Sequence, residues 1–373
     1  MTQDSRASAG PLLFQPISIN QLNLANRITV APMCQYSAVD GLASDWHRMH
    51  LGMLGSNGSG LVMLEATAVT EDGRISPGCL GLWGEDQGRA LTATLEASRK
   101  FSTGAFGIQL SHAGRKGSTQ VPFHGGARLD AEQGGWSTLA PSAIPSRPSD
   151  TVLPVEMTMD DLAEVRKAFV QAAHRALAAG IELIELHMAH GYLLHQFLSP
   201  LANQRSDHYG GSLENRMRYP LEVFDAVRQA IPTEIPLGVR VSATDWVDGG
   251  WNEDETEALC QRLLPMGCDF FDISSGGLSA AQKITVHPGY QVPFAARIKK
   301  SVSVPVIAVG MITEPDQAEQ ILQDGSADMV ALARQMLFEP HWPWRAAAQL
   351  KGQLQIPPQY LRSLTSAPDI AKT

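Results

Sequence analysis

Apolar positions along this chain fall into two alternating patterns. One is a short, nearly continuous apolar run, the mark of a strand covered on both faces. The other is an apolar stripe recurring every three or four residues, the mark of a helix with one buried side. Runs of the first kind occupy 27–33 (RITVAPM), 61–68 (LVMLEATA), 107–110, 181–186 (IELIEL), 237–241, 270–274, 304–309 and 329–333. Helical segments are predicted at 44–57, 91–101, 159–179, 215–230, 253–264, 294–300 and 315–323. Leu162, Val165, Phe169, Ala172 and Ala176 share one face of the 159–179 helix. Thr158 with Asp161 three residues on suits its start, and Gly180 suits its end. Eight strands, each followed by helix or loop, predict a single (β/α)8 TIM barrel. A doubly wound sheet would carry a Gly-rich turn after its first strand; here that strand runs into PMCQY.

One stretch breaks the beat. Residues 114–155 are rich in Gly, Pro and Ser and keep no periodicity, so they read as an inserted excursion between strands 3 and 4. Long segments of this kind usually serve as lids or binding loops. The first residues, 1–12, read as a disordered lead-in, with one domain over 13–373 and a Trp- and Pro-containing tail from His341.

Composition narrows the partners. The chain is 44% hydrophobic and 18% charged, enough apolar content for a large core. A net charge of −9 argues against a nucleic-acid or anionic-membrane surface. No run of apolar residues is long enough to span a bilayer. Cys34, Cys79, Cys260 and Cys268 are scattered and read as free thiols of a reducing compartment, with the cytoplasm expected.

A barrel gathers its chemistry at the carboxyl ends of its strands. Just past 181–186 come His187, His190 and Tyr192. The other ends offer Pro32, Met33, Cys34 and Tyr36, then Ala66 and Thr67, then Gln109 and His112, then Arg240, then Ser274 and Gly276. Gly310 with Met311, and Ala333 with Arg334, close the last two strands, where barrels recurrently bind phosphate. Backbone amides freed by a glycine, beside a guanidinium, suit a phosphate monoester. A buried arginine such as Arg240 needs an anionic partner.

These residues stand in motifs: NRITVAPMCQYS, DWHRMH, EATAVTEDGRISPGC, IQLSHAGRK and ELHMAHGYLLHQFLSPLANQRSDHYGGSLENRMR, with VGMI and ALARQML near the end. In that order they are similar to the Old Yellow Enzyme family of flavin-dependent ene reductases, over about residues 13–362. The thermophilic-like branch that includes the xenobiotic reductases is the nearest in pattern. The resemblance implies a TIM barrel holding FMN without a covalent bond, reduced by NADPH. It implies that Pro32, Met33, Cys34, Ala66, Gln109 and Arg240 meet the flavin ring, and Gly310, Ala333 and Arg334 its phosphate. His187 and His190 would grip the carbonyl oxygen of an enone or enal, or the nitro group of a nitroalkene. Hydride would pass from flavin N5 to the β-carbon and a proton from Tyr192 to the α-carbon. Tyr36 would help hold the substrate, and Arg362 would reach a neighbouring subunit's site, which requires a homo-oligomer.

Taken singly, the same residues have duller readings. An HxxH pair also suits a metal-dependent barrel hydrolase or aldolase, with His112 the one further histidine at a strand end. A barrel that only binds a phosphate ligand would explain Gly310 and Arg334 but not His187, His190 and Tyr192. Arg205, Asp207, Asn215 and Arg216 read as ion pairs and caps. Trp83, Trp136 and Trp246 suit either a substrate cavity or simple packing.

Overall fold

The computed structural model describes residues 10–372. A hairpin leads in, β1 (Ile17–Ile19) and β2 (Leu22–Leu24). Then come β3 (Ile28–Val30), α1 (Asp45–Gly55), β4 (Leu61–Ala68), α2 (Glu85–Arg99) and β5 (Ala105–Ser111). The excursion follows, with the short parallel pair β6 (Leu139–Ala140) and β7 (Val155–Glu156), and then α3 (Met159–Ala178). The beat resumes with β8 (Leu183–Met188), α4 (Leu193–Leu198), α5 (Leu213–Ala230), β9 (Leu237–Ser242), α6 (Glu253–Leu263) and β10 (Phe270–Ser274). It ends with α7 (Val292–Ser301), β11 (Val306–Ala308), α8 (Pro315–Gln323), β12 (Met329–Leu332), α9 (Arg334–Phe338) and α10 (Trp342–Leu350). Strands β3, β4, β5, β8, β9, β10, β11 and β12 pair in parallel and close on themselves, as the eight apolar runs predicted. Closure removes the exposed edges that an open sheet must protect.

Two separate hydrophobic cores follow from the alternation of side chains along each strand. The outer core lies between strands and helices, where Val62, Leu64, Ile108, Leu186, Val239 and Ile273 meet helix residues such as Phe169 and Phe224. The inner core fills the barrel with Leu61, Met63, Leu183, Phe270, Ile307 and Met329. Ile19 and Leu24 of the hairpin belong to that inner cluster. Asn20 at the hairpin tip donates to the Thr233 carbonyl, just before β9. The hairpin is therefore a stopper in the amino end of the barrel.

Some boundaries differ from the apolar pattern. The helix expected from residue 91 begins at Glu85, because its first turn (Glu85, Asp86) is acidic and carries no stripe, though it suits a helix N-terminus. The expected strand 304–309 is regular only over β11. The helix α4 and the strands β1, β2, β6 and β7 were not anticipated; each is too short to show a period. Of the expected lead-in, residues 1–9 lie outside the described residues. Leu12 starts a 3-10 turn, and its N–H and that of Leu13 are both held by Glu319, each at 2.9 Å. The cap of α3 matches expectation: Asp161 N–H donates to Thr158 Oγ1 at 3.2 Å, and Thr158 N–H to Asp161 Oδ2 at 2.8 Å.

The excursion is stitched to the barrel rather than draped over it. Arg128 first ties the excursion to itself, donating to the carbonyls of Arg115 and Gly117 and to Thr138 Oγ1. Arg205 donates to the carbonyls of Pro141 and Met157. Trp136 donates to the Asp72 carbonyl, and the Arg74 guanidinium lies between Trp83 and Trp136, 5.3 and 5.1 Å from their ring centroids.

Replacing Ile19 with Ala removes a stopper side chain from the closed end. We expect a loss of about 2–4 kcal/mol of unfolding free energy, read as a lower urea midpoint at unchanged slope. An unchanged midpoint would show that the hairpin lies outside the cooperative core.

Candidate active site

Strand β8 sets the site. Residues two apart on a strand share a face, so Glu185 and His187 point the same way, into the barrel. His187 stands opposite Arg240 on β9, which stands opposite Asp272 on β10. Past Met188 the chain turns back sharply, with His190 at φ 58° and Gly191 at φ 73°. Such a conformation in a non-glycine residue costs of order 1–3 kcal/mol and persists only where its surroundings enforce it. They do so here. Ser242 Oγ accepts the His190 N–H at 3.0 Å, and Lys116 Nζ donates to the His190 carbonyl at 2.8 Å.

The turn folds three aromatic rings together. His187 and His190 stand edge to face with centroids 5.1 Å apart, and His187 and Tyr192 with centroids 4.9 Å apart. His190 Nε2 lies 2.7 Å from Ser274 Oγ, at the end of β10. The Lys116 ammonium sits 5.1 Å over the Tyr192 ring. Burial, then the Arg240 charge, pushes both histidines well below their usual range, so both rings are neutral. Burial, then Cys34 and Tyr36, pushes the Tyr192 phenol well above its ordinary value. Burial also raises the Cys34 thiol.

Beneath these rings lies a buried polar layer. The Arg240 Nε stands 3.2 Å from Asp272 Oδ2. Gln109 donates its amide to Glu185 Oε1 at 2.7 Å. Burial, with Asp272 nearby, pushes Glu185 up to about 8 against the pull of Arg240 and Gln109. Burial raises Asp272 as well, against the pull of Arg240, so one buried cation faces two carboxyl groups that are both harder to ionise than in water.

A cavity of about 680 Å³ opens at the carboxyl end, lined by His190, Arg240, Ser274, Gly310, Ala333 and Arg334 among others. Gly310 is at φ 129°, where a side chain is strained and a Cβ would press on Gln291. Pro32, Met33 and Cys34 lie in the irregular segment after β3, and Gln35 N–H donates to the buried Glu65 carboxylate at 3.1 Å. Ala66 pairs with Gln109 across β4 and β5. Tyr36, at φ 52°, lines a smaller cavity of about 160 Å³ with Lys116. Arg362 is not brought to this site within the chain; it is exposed on the 3-10 turn Pro358–Ser363. Trp83 and Trp136 pack on Arg74, and Trp246 packs on Phe294 with centroids 5.4 Å apart. Arg205 pairs with Asp207, Arg216 pairs with Glu255, and Asn215 holds the Gly210 carbonyl. Sequence reasoning passed over Lys116, Glu185 and Asp272. Period-two spacing from His187 was the available signal for Glu185; nothing local marks the other two.

Comparison with known proteins decides the family. The model of the NADH:flavin oxidoreductase / NADH oxidase family matches residues 12–353. The chain belongs to that family. Its relatives include NADPH dehydrogenases of Geobacillus thermodenitrificans, 42% identical over 94% of this chain and 98% of the relative, and of Bacillus subtilis, 41% identical over the same shares. A solved morphinone reductase superposes with a TM-score of 0.76 at 25% identity, over 98% of this chain and 95% of that one. A 2-naphthoyl-CoA reductase complex superposes with a TM-score of 0.82 at 25% identity, and this chain spans 52% of that longer one. The protein is thus an FMN-dependent NADH/NADPH oxidoreductase of the Old Yellow Enzyme type. The geometry fits FMN: the large cavity joins Arg240 to Arg334 and the backbone at Gly310, and the buried His187 Nδ1 has no hydrogen-bond partner among the described residues.

Glu185 gives a pH signature. Its pKa is raised in the folded state, so its contribution is complete below the unfolded value and falls as pH rises toward the folded one. Relative to the parent, Glu185→Gln should therefore gain stability between about pH 5 and about pH 8. Urea midpoints at both pH values read this; an equal offset at both would remove the buried acid.

Proposed function

We propose that this oxidoreductase reduces the activated C=C bond of α,β-unsaturated carbonyl compounds, and of nitroalkenes, with NADPH as donor. The observation that carries this reading is the cluster of His187, His190 and Tyr192, all uncharged, at the edge of a cavity suited to FMN. Two neutral imidazoles each offer one N–H to an oxygen. Those donors stabilise the negative charge that grows on a carbonyl or nitro oxygen as the adjacent double bond is reduced. A metal centre would use the same pair as ligands, but among the described residues no three His, Cys, Asp or Glu side chains gather where they could hold an ion.

Each further residue has a place in the proposal. Tyr192 is the proton donor to the α-carbon; its raised pKa keeps the phenol protonated until the carbanion-like carbon takes the proton. FMN, when bound, supplies the hydride, as its redox chemistry belongs to the cofactor. Pro32, Met33, Cys34, Ala66, Gln109 and Arg240 hold its ring, and Gly310, Ala333 and Arg334 its phosphate. Tyr36 orients the substrate from the opposite rim. Residues 13–373 act as one FMN-binding domain in the cytoplasm. Arg362, exposed here, completes the site of a neighbouring copy in a homo-oligomer.

An anaerobic absorbance trace tests the activity. The yellow protein should bleach with NADPH and recover with 2-cyclohexen-1-one; bleaching without recovery would sink the enone reading. The double change His187→Ala/His190→Ala should keep FMN, lose phenol-type ligands, and slow enone reduction by more than about a hundredfold. Unchanged enone turnover would remove the oxygen-binding role. Tyr192→Phe should slow the oxidative half-reaction alone, and equal slowing of both halves would count against proton donation.

A further inference from the structure

His195 lies within α4, one turn past Tyr192, and is fully buried. Its Nδ1 accepts the Gly191 N–H at 2.9 Å. A ring nitrogen that accepts an N–H carries no proton, so the imidazole is neutral and its proton is on Nε2. That Nε2 stands 3.0 Å from Asp245 Oδ1, and both side chains are wholly buried. Neither atom makes a regular hydrogen bond among the described residues, so the carboxylate acts on the ring edge through its charge at contact distance. The other carboxylate oxygen, Oδ2, is fixed independently by Ser199 Oγ at 2.6 Å and the Trp251 N–H at 2.8 Å. Burial pushes Asp245 up, but His195, Ser199 and Trp251 outweigh it and hold the carboxyl below its ordinary value.

Gly191 is the link between His190 and Tyr192, and it has no room to move. A Cβ there would meet the Gly277 carbonyl at 2.5 Å. Its carbonyl takes Gln196 Nε2 at 2.7 Å, so His195 supplies the remaining half of its backbone bonding. The segment is left-handed at both His190 and Gly191, so it depends on such anchors.

We propose that Asp245 and His195 are positioning residues: Asp245 selects the Nε2–H tautomer of His195, and His195 Nδ1 thereby pins Gly191 and sets His190 and Tyr192 relative to each other. The pair touches no substrate, and its effect on turnover rests on the roles proposed above for His190 and Tyr192. A buried carboxylate that fixes a histidine tautomer can control rate without joining in proton transfer.

Asp245→Asn is nearly isosteric and inverts the tautomer. Two donors converge on the Oδ2 position, so the amide oxygen must sit there and the NH2 must face His195. An NH2 facing Nε2 requires the lone pair on Nε2 and the proton on Nδ1. Two N–H groups then oppose each other at Gly191. His195→Asn places a carbonyl oxygen near the former Nδ1 with no tautomer to choose.

Enone turnover by the FMN-loaded Asp245→Asn protein should fall roughly tenfold or more. Its FMN reduction by NADPH should stay within about twofold of the parent. His195→Asn should retain turnover where His195→Phe loses it, and Asp245→Asn should add little in the His195→Asn background. Hydrogen exchange at the Gly191 amide supplies a reading that needs no substrate: it should quicken about tenfold in Asp245→Asn. Parental exchange and turnover in Asp245→Asn would overturn the proposal. So would an equal loss from Asp245→Asn in the His195→Asn background, which would route its effect through Ser199 and Trp251. Should Asp245→Asn fail to fold, His195→Asn as poor as His195→Phe would overturn it by itself. A parent that reduces no enone, yet shows the exchange change, would break the proposed substrate class and leave the anchor standing.

Discussion

A positive charge in the middle of a barrel is the constraint around which this protein is arranged. The Arg240 guanidinium is buried, and an unpaired buried charge is prohibitively costly. Asp272, one strand over, offsets it. Glu185 and Gln109 fill the rest of the layer, and burial, with Asp272 beside it, pushes Glu185 toward its protonated form. Burial, reinforced by the same charge, keeps His187 and His190 neutral above it. Burial and one arginine thus act together on the rings above, and against each other on the carboxyl groups below.

The second constraint is conformational. His190 lines the large cavity and Tyr36 the smaller one beside Lys116, and both sit at positive φ. Neither is a glycine, so the energy stored there is returned by fixed partners. For His190 those partners come from Ser242, Lys116 and Ser274, on three different segments. Strain of this kind is a usual companion of function, because a relaxed loop would aim its side chains less narrowly.

Much of this was legible in the chain. The eight apolar runs marked the eight barrel strands because parallel strands are buried on both faces and show it in composition. The rings of His187, His190 and Tyr192 were readable because they follow a strand end closely, where topology leaves little freedom. Lys116 was not, since its meaning comes from the carbonyls of His190 and Gly277, brought near only by folding. Asp272 reads as an ordinary strand residue until register puts it beside Arg240. Nothing local says that Arg362 stands outside the cavity of its own chain. The hairpin β1–β2 escaped because three-residue strands carry no period.

That hairpin has a consequence for traffic. With Ile19 and Leu24 stoppering one end and large apolar side chains packed behind them, the barrel is a cup and not a tunnel. Anything that enters must leave by the same opening. An electron donor and an electron acceptor that both need the bottom of a cup cannot occupy it together. Turn-taking between the two is then a property of the shape, already fixed before any side chain on the rim has chosen what to bind.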